Sequence, residues 1–161
     1  MDNGYVQVFC GNGDGKSSAA IGKGIFSAIE GKTVIVVQFL KDKNENELEF
    51  FRRLEPEIKL FRFEKRDAAF NDLNEEQKKE EINNMKNGLN YARKVLATGE
   101  CDMLILDEVL GLIDEGIISV EELIPVIEAK PDDMALIMTG IVMPDEMIGY
   151  VDSVSNIESL R

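Results

Sequence analysis

The chain has 161 residues, no histidine, two cysteines and a formal net charge of −13 at pH 7. This length fits one domain with a substantial core, and the lack of histidine excludes a Ser-His-Asp triad, a Cys-His pair and any histidine metal ligand or general base. After residue 99 the only basic residues are Lys130 and Arg161, so the charge balance argues against a nucleic-acid partner.

Cysteine usage and hydropathy indicate the compartment. Residues 1–4 form no signal peptide, and no apolar run approaches the length of a membrane span. Cys10 and Cys101 lie far apart in the sequence and do not indicate a disulfide scaffold. We therefore predict a cytoplasmic protein with reduced thiols and no membrane partner.

Strands and helices alternate along the chain. The apolar runs predict strands at residues 6–9, 33–39, 58–63, 103–106 and 135–139. Helices are predicted at 17–29, 45–54 and 74–98, with two more beginning at Ser119 and near Pro144. The charged stretch 75–81 predicts a solvated start of the long helix. This alternation predicts right-handed βαβ units and a central sheet with helices on both faces.

The segment between the first strand and the first helix is rich in glycine. It reads Cys10-Gly-Asn-Gly-Asp-Gly-Lys-Ser-Ser18. Glycines allow backbone N–H groups to turn inward and a ligand to approach closely, and a helix start adds N–H donors and a positive dipole end. Lys16 would reach the terminal phosphates of a nucleotide, and the Ser17 hydroxyl would bind Mg²⁺. Because Cys10 stands where the regular pattern has glycine, we predict a variant P-loop; the alternative is a tight turn.

A second motif ends the fourth predicted strand. Residues 102–108 read Asp-Met-Leu-Ile-Leu-Asp-Glu, the form of a Walker B strand. Asp107 would hold Mg²⁺ directly or through water, and Glu108 could bind Mg²⁺ or a nucleotide hydroxyl. An apolar strand ending in Asp-Glu is also common as a solvated strand end. Its occurrence together with the glycine-rich segment favours the functional interpretation.

Together these motifs resemble those of corrinoid adenosyltransferases of the ATP:cob(I)alamin type. Residues 11–20 look like the family's Gly-Asn-Gly-Lys-Gly-Lys-Thr-Thr-Ala-Ala, and residues 37–41 match its Val-Gln-Phe-Leu-Lys strand. Residues 102–108 resemble its Asp-Met-Val-Leu-Leu-Asp-Glu strand, and residues 139–141 stand where the family has Thr-Gly-Arg. The likeness covers nearly the whole chain in order.

The resemblance implies a fold and an activity. It implies a single nucleotide-binding domain over residues 1–161 with the three-layer, RecA-like fold of P-loop NTPases and a mainly parallel sheet. It also implies a homodimer that binds ATP with Mg²⁺ or Mn²⁺ and transfers the 5′-deoxyadenosyl group to Co(I) of a corrinoid, releasing triphosphate. Because Co(I) is itself the nucleophile, the protein mainly positions substrates and stabilises charge, which is compatible with the absence of histidine.

The resemblance also implies residue roles. Lys16 and Glu108 would be catalytic, and Ser17, Asp107 and Glu108 would hold the metal. Phe70 would press on the corrinoid, although it could equally be an ordinary loop hydrophobe. The residues expected to contact the substrates are Gly11, Asn12, Gly13, Asp14, Gly15, Lys16, Ser17, Ser18, Lys41 and Phe70.

The chain departs from the family pattern at two charged positions. Asp14 replaces the loop lysine, and Ile141 replaces the arginine of Thr-Gly-Arg. Both changes remove positive charge where phosphates are expected. Two alternatives therefore stay open: a nucleotide- or corrinoid-binding paralogue without transfer activity, and a P-loop ATPase or small-molecule kinase of another function.

Overall fold

Six parallel strands form one central sheet in a computed structural model that describes residues 4–41 and 45–161. The strands are β1 (Tyr5–Cys10), β2 (Val34–Gln38), β3 (Ile58–Arg62), β4 (Met103–Asp107), β5 (Ala135–Thr139) and β6 (Ser153–Asn156). Their order across the sheet is β3-β2-β4-β5-β1-β6, and every neighbouring pair is parallel. The predicted three-layer α/β class with a parallel sheet is confirmed.

Helices cover both faces of this sheet. They are α1 (Lys16–Ile29), α2 (Glu45–Arg52), α3 (Glu75–Thr98), α4 (Val109–Asp114) and α5 (Val120–Glu128), with short 3-10 helices at Phe70–Asp72 and Asp145–Tyr150. Helices α1 and α2 pack on one face, and α3, α4 and α5 pack on the other. Within the ranges described, none of the helices combines the length and apolar character that crossing a membrane requires.

Strand β4 shows why the sheet needs cover on both sides. Leu104 and Leu106 pack into the cluster beneath α3–α5, whereas Met103 and Ile105 pack beneath α1 and α2. Successive side chains of a strand point to opposite faces, so an uninterrupted apolar run can be buried only between two layers. All five residues of β4 are buried.

The long helix α3 follows its predicted pattern except at one residue. Asn74 and Gln77 form a capping box at its start, and Gly99 ends it with φ 65°. The predicted solvated start is wrong at Glu81, which is only 4% exposed. Its carboxylate is buried because it accepts hydrogen bonds from the backbone N–H groups of Lys65 and Arg66 in the preceding loop.

One α-helix and one strand were not predicted from the sequence. Helix α4 follows β4 without a connecting loop, because Glu108 turns the chain with a left-handed φ of 64°. Strand β6 is a short, mostly exposed edge strand without an apolar run. Pro144 precedes a 3-10 helix at Asp145–Tyr150 rather than beginning an α-helix.

Candidate functional site

The predicted site residues meet at the carboxyl edge of the sheet. Residues 11–15, called the glycine loop below, follow β1 and lead into α1, while Lys41 follows β2. Asp107 ends β4 and is followed by Glu108. Ligands of open α/β sheets bind at this edge, where the loops between strands and helices converge.

Asp107 is the centre of a buried hydrogen-bond network. Its side chain is 0% exposed. One carboxylate oxygen, Oδ1, accepts hydrogen bonds from Ser17 Oγ at 2.6 Å and Thr139 Oγ1 at 2.8 Å. The other, Oδ2, accepts from Gln38 Nε2 at 3.3 Å and lies 3.6 Å from Lys41 Nζ. These partners compensate the buried charge, which would otherwise be costly.

Glu108 lies beside this network and is only half-buried. Its backbone N–H donates to Thr139 Oγ1 at 2.7 Å, which orients the left-handed turn. Burial raises the pKa of its carboxyl group, and the charge of Asp107 raises that pKa further. Lys16 and Lys41 oppose this rise. Two cations and two carboxylates therefore share one small region of the sheet edge.

Lys16 begins α1 and folds back over the glycine loop. Its Nζ donates to the carbonyl oxygen of Gly13 at 2.8 Å. The helix is preceded by Gly15, which has φ 104°, and no side chain of the described residues caps this helix end. The N–H groups of the first turn are therefore free to bind an anion.

The glycine loop packs tightly against residues 156–159. Gly13 N–H donates to the carbonyl of Ile157 at 2.8 Å, and Asp14 N–H lies 3.3 Å from Ser159 Oγ. Gly11 N–H donates to the carbonyl of Ile141 at 2.8 Å. These two glycines thus permit close approach of the protein's own chain, and their N–H groups bind carbonyl groups of the protein.

Gly13 should not tolerate a methyl group. A Cβ at this position would lie 2.7 Å from backbone atoms of Glu158 and Ser159. We expect Gly13→Ala to lower the free energy of unfolding by about 1–3 kcal/mol, because the backbone must shift to relieve the overlap. Urea denaturation would measure the change.

Gly22→Ala is the matched control for this prediction. Gly22 lies inside α1, and apart from the local backbone of the helix and the two neighbouring residues, no heavy atom of the described residues is within 4 Å of its would-be Cβ. This substitution should stabilise the protein by about 0.5–1 kcal/mol. A Gly13→Ala variant as stable as the wild type would contradict the packing of residues 156–159 on the loop.

The other predicted contact residues surround the loop and Lys41. Asn12, Asp14 and Ser18 are exposed. Phe70 is half-buried and lines a small cavity of about 30 Å³ together with Lys41. Lys78 Nζ lies 5.7 Å from the centre of the Phe70 ring. Phe70 is therefore brought close to Lys41, although it comes from a different loop.

A family model described as ATP:corrinoid adenosyltransferase BtuR/CobO/CobP matches residues 2–161. The chain belongs to this corrinoid adenosyltransferase family. The corrinoid adenosyltransferase of Escherichia coli K12 is 27% identical over 163 residues, covering 99% of this chain and 79% of that protein. Corrinoid adenosyltransferase CobA of Salmonella typhimurium is 28% identical with the same coverage. The corrinoid adenosyltransferase of Pseudomonas aeruginosa is 26% identical over 167 residues, covering 99% of this chain and 77% of that protein.

The family recognised from the motifs is thus confirmed, but the motifs missed two residues of this adenosyltransferase-family site. Gln38 and Thr139 hold Asp107 although neither was predicted to take part. A signal was present, since each is the polar residue at the carboxyl end of an otherwise apolar strand. Both are buried, at 1% and 0% exposed, and a buried polar side chain needs a partner.

Proposed function

We propose that the protein is an ATP:corrinoid adenosyltransferase. In this proposal ATP binds with its phosphates at the Gly15 end of the glycine loop and the first turn of α1, where the N–H groups are free, and its 5′-deoxyadenosyl group passes to Co(I) of a corrinoid. The observation that carries it is the convergence of Lys16, Ser17, Asp107 and Glu108 at one sheet edge in a chain of this family. We further propose a single domain over residues 1–161 and, by analogy with the family, a cytoplasmic homodimer.

The residues at this edge fit a hard divalent cation. Ser17 Oγ and Asp107 Oδ1 are 2.6 Å apart, and Glu108 adds a second carboxylate. Mg²⁺ prefers oxygen ligands and is usually held by one or two carboxylates together with substrate phosphates and water. A bound Mg²⁺ or Mn²⁺ would neutralise phosphate charge. Ser17 and Glu108 would hold it, and Asp107 would orient Ser17.

The chain's own groups would stabilise the leaving group of the transfer. The Co(I) electron pair forms a bond to C5′ of ATP while the C5′–O bond breaks, and triphosphate carries away that bond's electron pair. Lys16 and the free N–H groups at the start of α1 would stabilise the negative charge. Phe70 would face the corrinoid side of the reaction. Lys41, which lines the same cavity and lies beside Asp107, would contact the nucleotide phosphates.

Product analysis tests this proposal against its alternatives. The protein is incubated with ATP and Mg²⁺, with and without chemically reduced corrinoid, and the phosphate products are separated by ion-exchange chromatography. The proposal predicts triphosphate only when the corrinoid is present. Inorganic phosphate without corrinoid would instead indicate an ATPase, and no product in either case would indicate a paralogue without transfer activity.

Two side chains at or near the glycine loop favour the alternative that the protein is a paralogue without transfer activity. Asp14 is exposed on the loop itself, and Ile141, whose carbonyl holds Gly11, is 49% exposed. Restoring the family's charges with Asp14→Lys and Ile141→Arg should tighten ATP binding. Because both positions are exposed to solvent, each change should contribute up to about 1 kcal/mol. Calorimetric titration measures this gain.

A charge change remote from the loop serves as the control. Asp133→Lys alters an exposed carboxylate next to the amino end of β5, at the opposite edge of the sheet. It should leave ATP affinity nearly unchanged. If the double variant binds ATP no better than Asp133→Lys, the phosphate charge is supplied elsewhere or the ligand is not ATP.

A further inference from the structure

Glu64 is a partly buried residue whose carboxyl group the proposed reaction does not use. It follows the end of β3, and its Oε2 accepts a hydrogen bond from Leu40 N–H at 2.8 Å. Its other oxygen, Oε1, is buried and has no hydrogen-bond partner in the described part of the chain. A buried carboxyl group with one unpaired oxygen costs stability, and such groups concentrate at functional sites.

The partner of Glu64 occupies an unusual backbone conformation. Leu40 has φ 56°, in the left-handed region that side chains other than glycine rarely adopt. Such a residue persists only when its surroundings hold it there. The next residue is Lys41, whose Nζ lies 3.6 Å from Asp107 Oδ2. Glu64 therefore binds the backbone of the residue directly before Lys41.

Charged groups from several elements surround Glu64. Arg62 ends β3, Lys41 comes from the turn after β2, and Glu81 comes from α3. Lys65, Arg66 and Asp67 follow it in the loop, and α2 contributes the apolar Leu48 to the groove beside it. Burial raises the pKa of Glu64 to about 7, the Leu40 N–H and Arg62 lower it, and Glu81 raises it.

We propose that Glu64 is a positioning residue that, when ionised, holds the Leu40 turn and thereby places Lys41 beside Asp107 for nucleotide binding. This inference rests on the proposed binding of ATP at the site. An ionised carboxylate accepts the Leu40 hydrogen bond more strongly than a neutral one. Lys41 is therefore held most firmly above pH 7 and less firmly as the pH falls.

The effect on stability has the opposite sign. The pKa of Glu64 in the folded protein lies above its ordinary value of 4.5. The bound proton therefore contributes its full stability below pH 4.5. This contribution is lost as the pH rises through about 7. Glu64→Gln cannot titrate and should not show this loss. The difference in free energy of unfolding between the variant and the wild type should therefore favour the variant more at pH 8 than at pH 5. A residue that costs stability while improving binding is typical of a functional site.

The test compares wild type and Glu64→Gln by calorimetric titration with ATP and Mg²⁺ at pH 6 and pH 8. Protonation of ATP affects both dissociation constants equally, so it cancels in their ratio. At pH 8 we expect the variant to bind about fivefold more weakly, because a charge-assisted hydrogen bond becomes a neutral one. At pH 6 the ratio should approach one. Glu80→Gln, which neutralises an exposed carboxylate paired with Arg66 of the same loop, should give a ratio near one at both pH values.

A ratio that is the same at pH 6 and pH 8, or full affinity of Glu64→Gln at pH 8, overturns the proposal. Lys41→Met provides a test that leaves Glu64 intact. Its affinity loss relative to wild type should be larger at pH 8 than at pH 6, and an equal loss at both pH values contradicts the inference.

A measurement without ligand separates this inference from the proposed function. Urea denaturation at pH 8 is compared for Glu64→Gln, Lys41→Met and the double variant. If Glu64 positions Lys41, the shifts in the denaturation midpoint will not be additive. Additive shifts overturn the inference whether or not ATP binds. Failure of the wild type to bind ATP overturns the proposed function and leaves this cycle to decide the role of Glu64.

Discussion

Replacing Lys16 by alanine is expected to weaken ATP binding at least tenfold. Lys16 Nζ already donates to the Gly13 carbonyl, at the start of a helix whose first N–H groups are free to bind an anion. Loss of charge-assisted hydrogen bonds to phosphate costs on the order of 1.5–3 kcal/mol, which corresponds to about a tenfold or larger rise in the dissociation constant. Calorimetric titration with ATP and Mg²⁺ measures the effect.

Lys94→Ala controls for the general loss of positive charge. Lys94 is exposed on the last turns of α3, far along the chain from the glycine loop. Its removal should leave the affinity for ATP within about twofold of the wild type, because exposed charges at a distance are screened by salt. Equal ATP affinity of wild type and Lys16→Ala would show that the glycine loop does not bind the phosphates.

Replacing Asp107 by alanine is expected to destabilise the fold strongly. Asp107 is fully buried, and its removal takes the acceptor from the hydroxyl groups of Ser17 and Thr139 and the nearby carboxylate from the Lys41 ammonium. Removing one partner from a buried charged network costs about 3–5 kcal/mol. Urea denaturation would show this loss, whereas Asp72→Ala, at an exposed position, should change stability by about 0.5 kcal/mol or less.

The neighbouring carboxylate separates metal binding from folding. Glu108 is half-buried, so its side chain should contribute less to the stability of the fold than that of the fully buried Asp107. We expect Glu108→Gln to fold with little loss of stability while the Mg²⁺ effect on ATP affinity falls sharply. The double variant Asp107→Asn, Glu108→Gln should abolish that effect. Unchanged metal-dependent binding in the double variant would show that these carboxylates do not hold the metal.

Local sequence patterns were sufficient to predict five of the six strands and the parallel arrangement of the sheet. The runs at β2 and β4 are apolar without interruption, and such strands must be covered on both faces. Strand β6 has no such run, because it lies at the sheet edge and only its pairing with β1 defines it. An edge strand of this kind has no local signal, since its stability comes from a partner distant in the sequence.

Only the site residues that belong to a sequence motif could be predicted. Lys16, Ser17, Asp107 and Glu108 follow from local patterns at the carboxyl ends of β1 and β4. Gln38 and Thr139 each end an apolar strand, which marks them as polar residues in need of a partner, but their contacts with Asp107 run across three strands and are not encoded locally. Glu64 was missed for the same reason, because its burial and its bond to Leu40 arise where two loops meet.

Formation of a cobalt–carbon bond tests the central claim most directly. The protein is incubated anaerobically with ATP, Mg²⁺ and chemically reduced corrinoid, and the absorption spectrum is followed for the adenosylcorrinoid product. Lys16→Ala and a reaction without ATP serve as controls. We predict that the wild type forms the adenosylated product and that both controls form much less or none. A wild-type spectrum identical to that of the reaction without ATP, at a protein concentration where ATP binding has been demonstrated, would contradict the assignment as an adenosyltransferase.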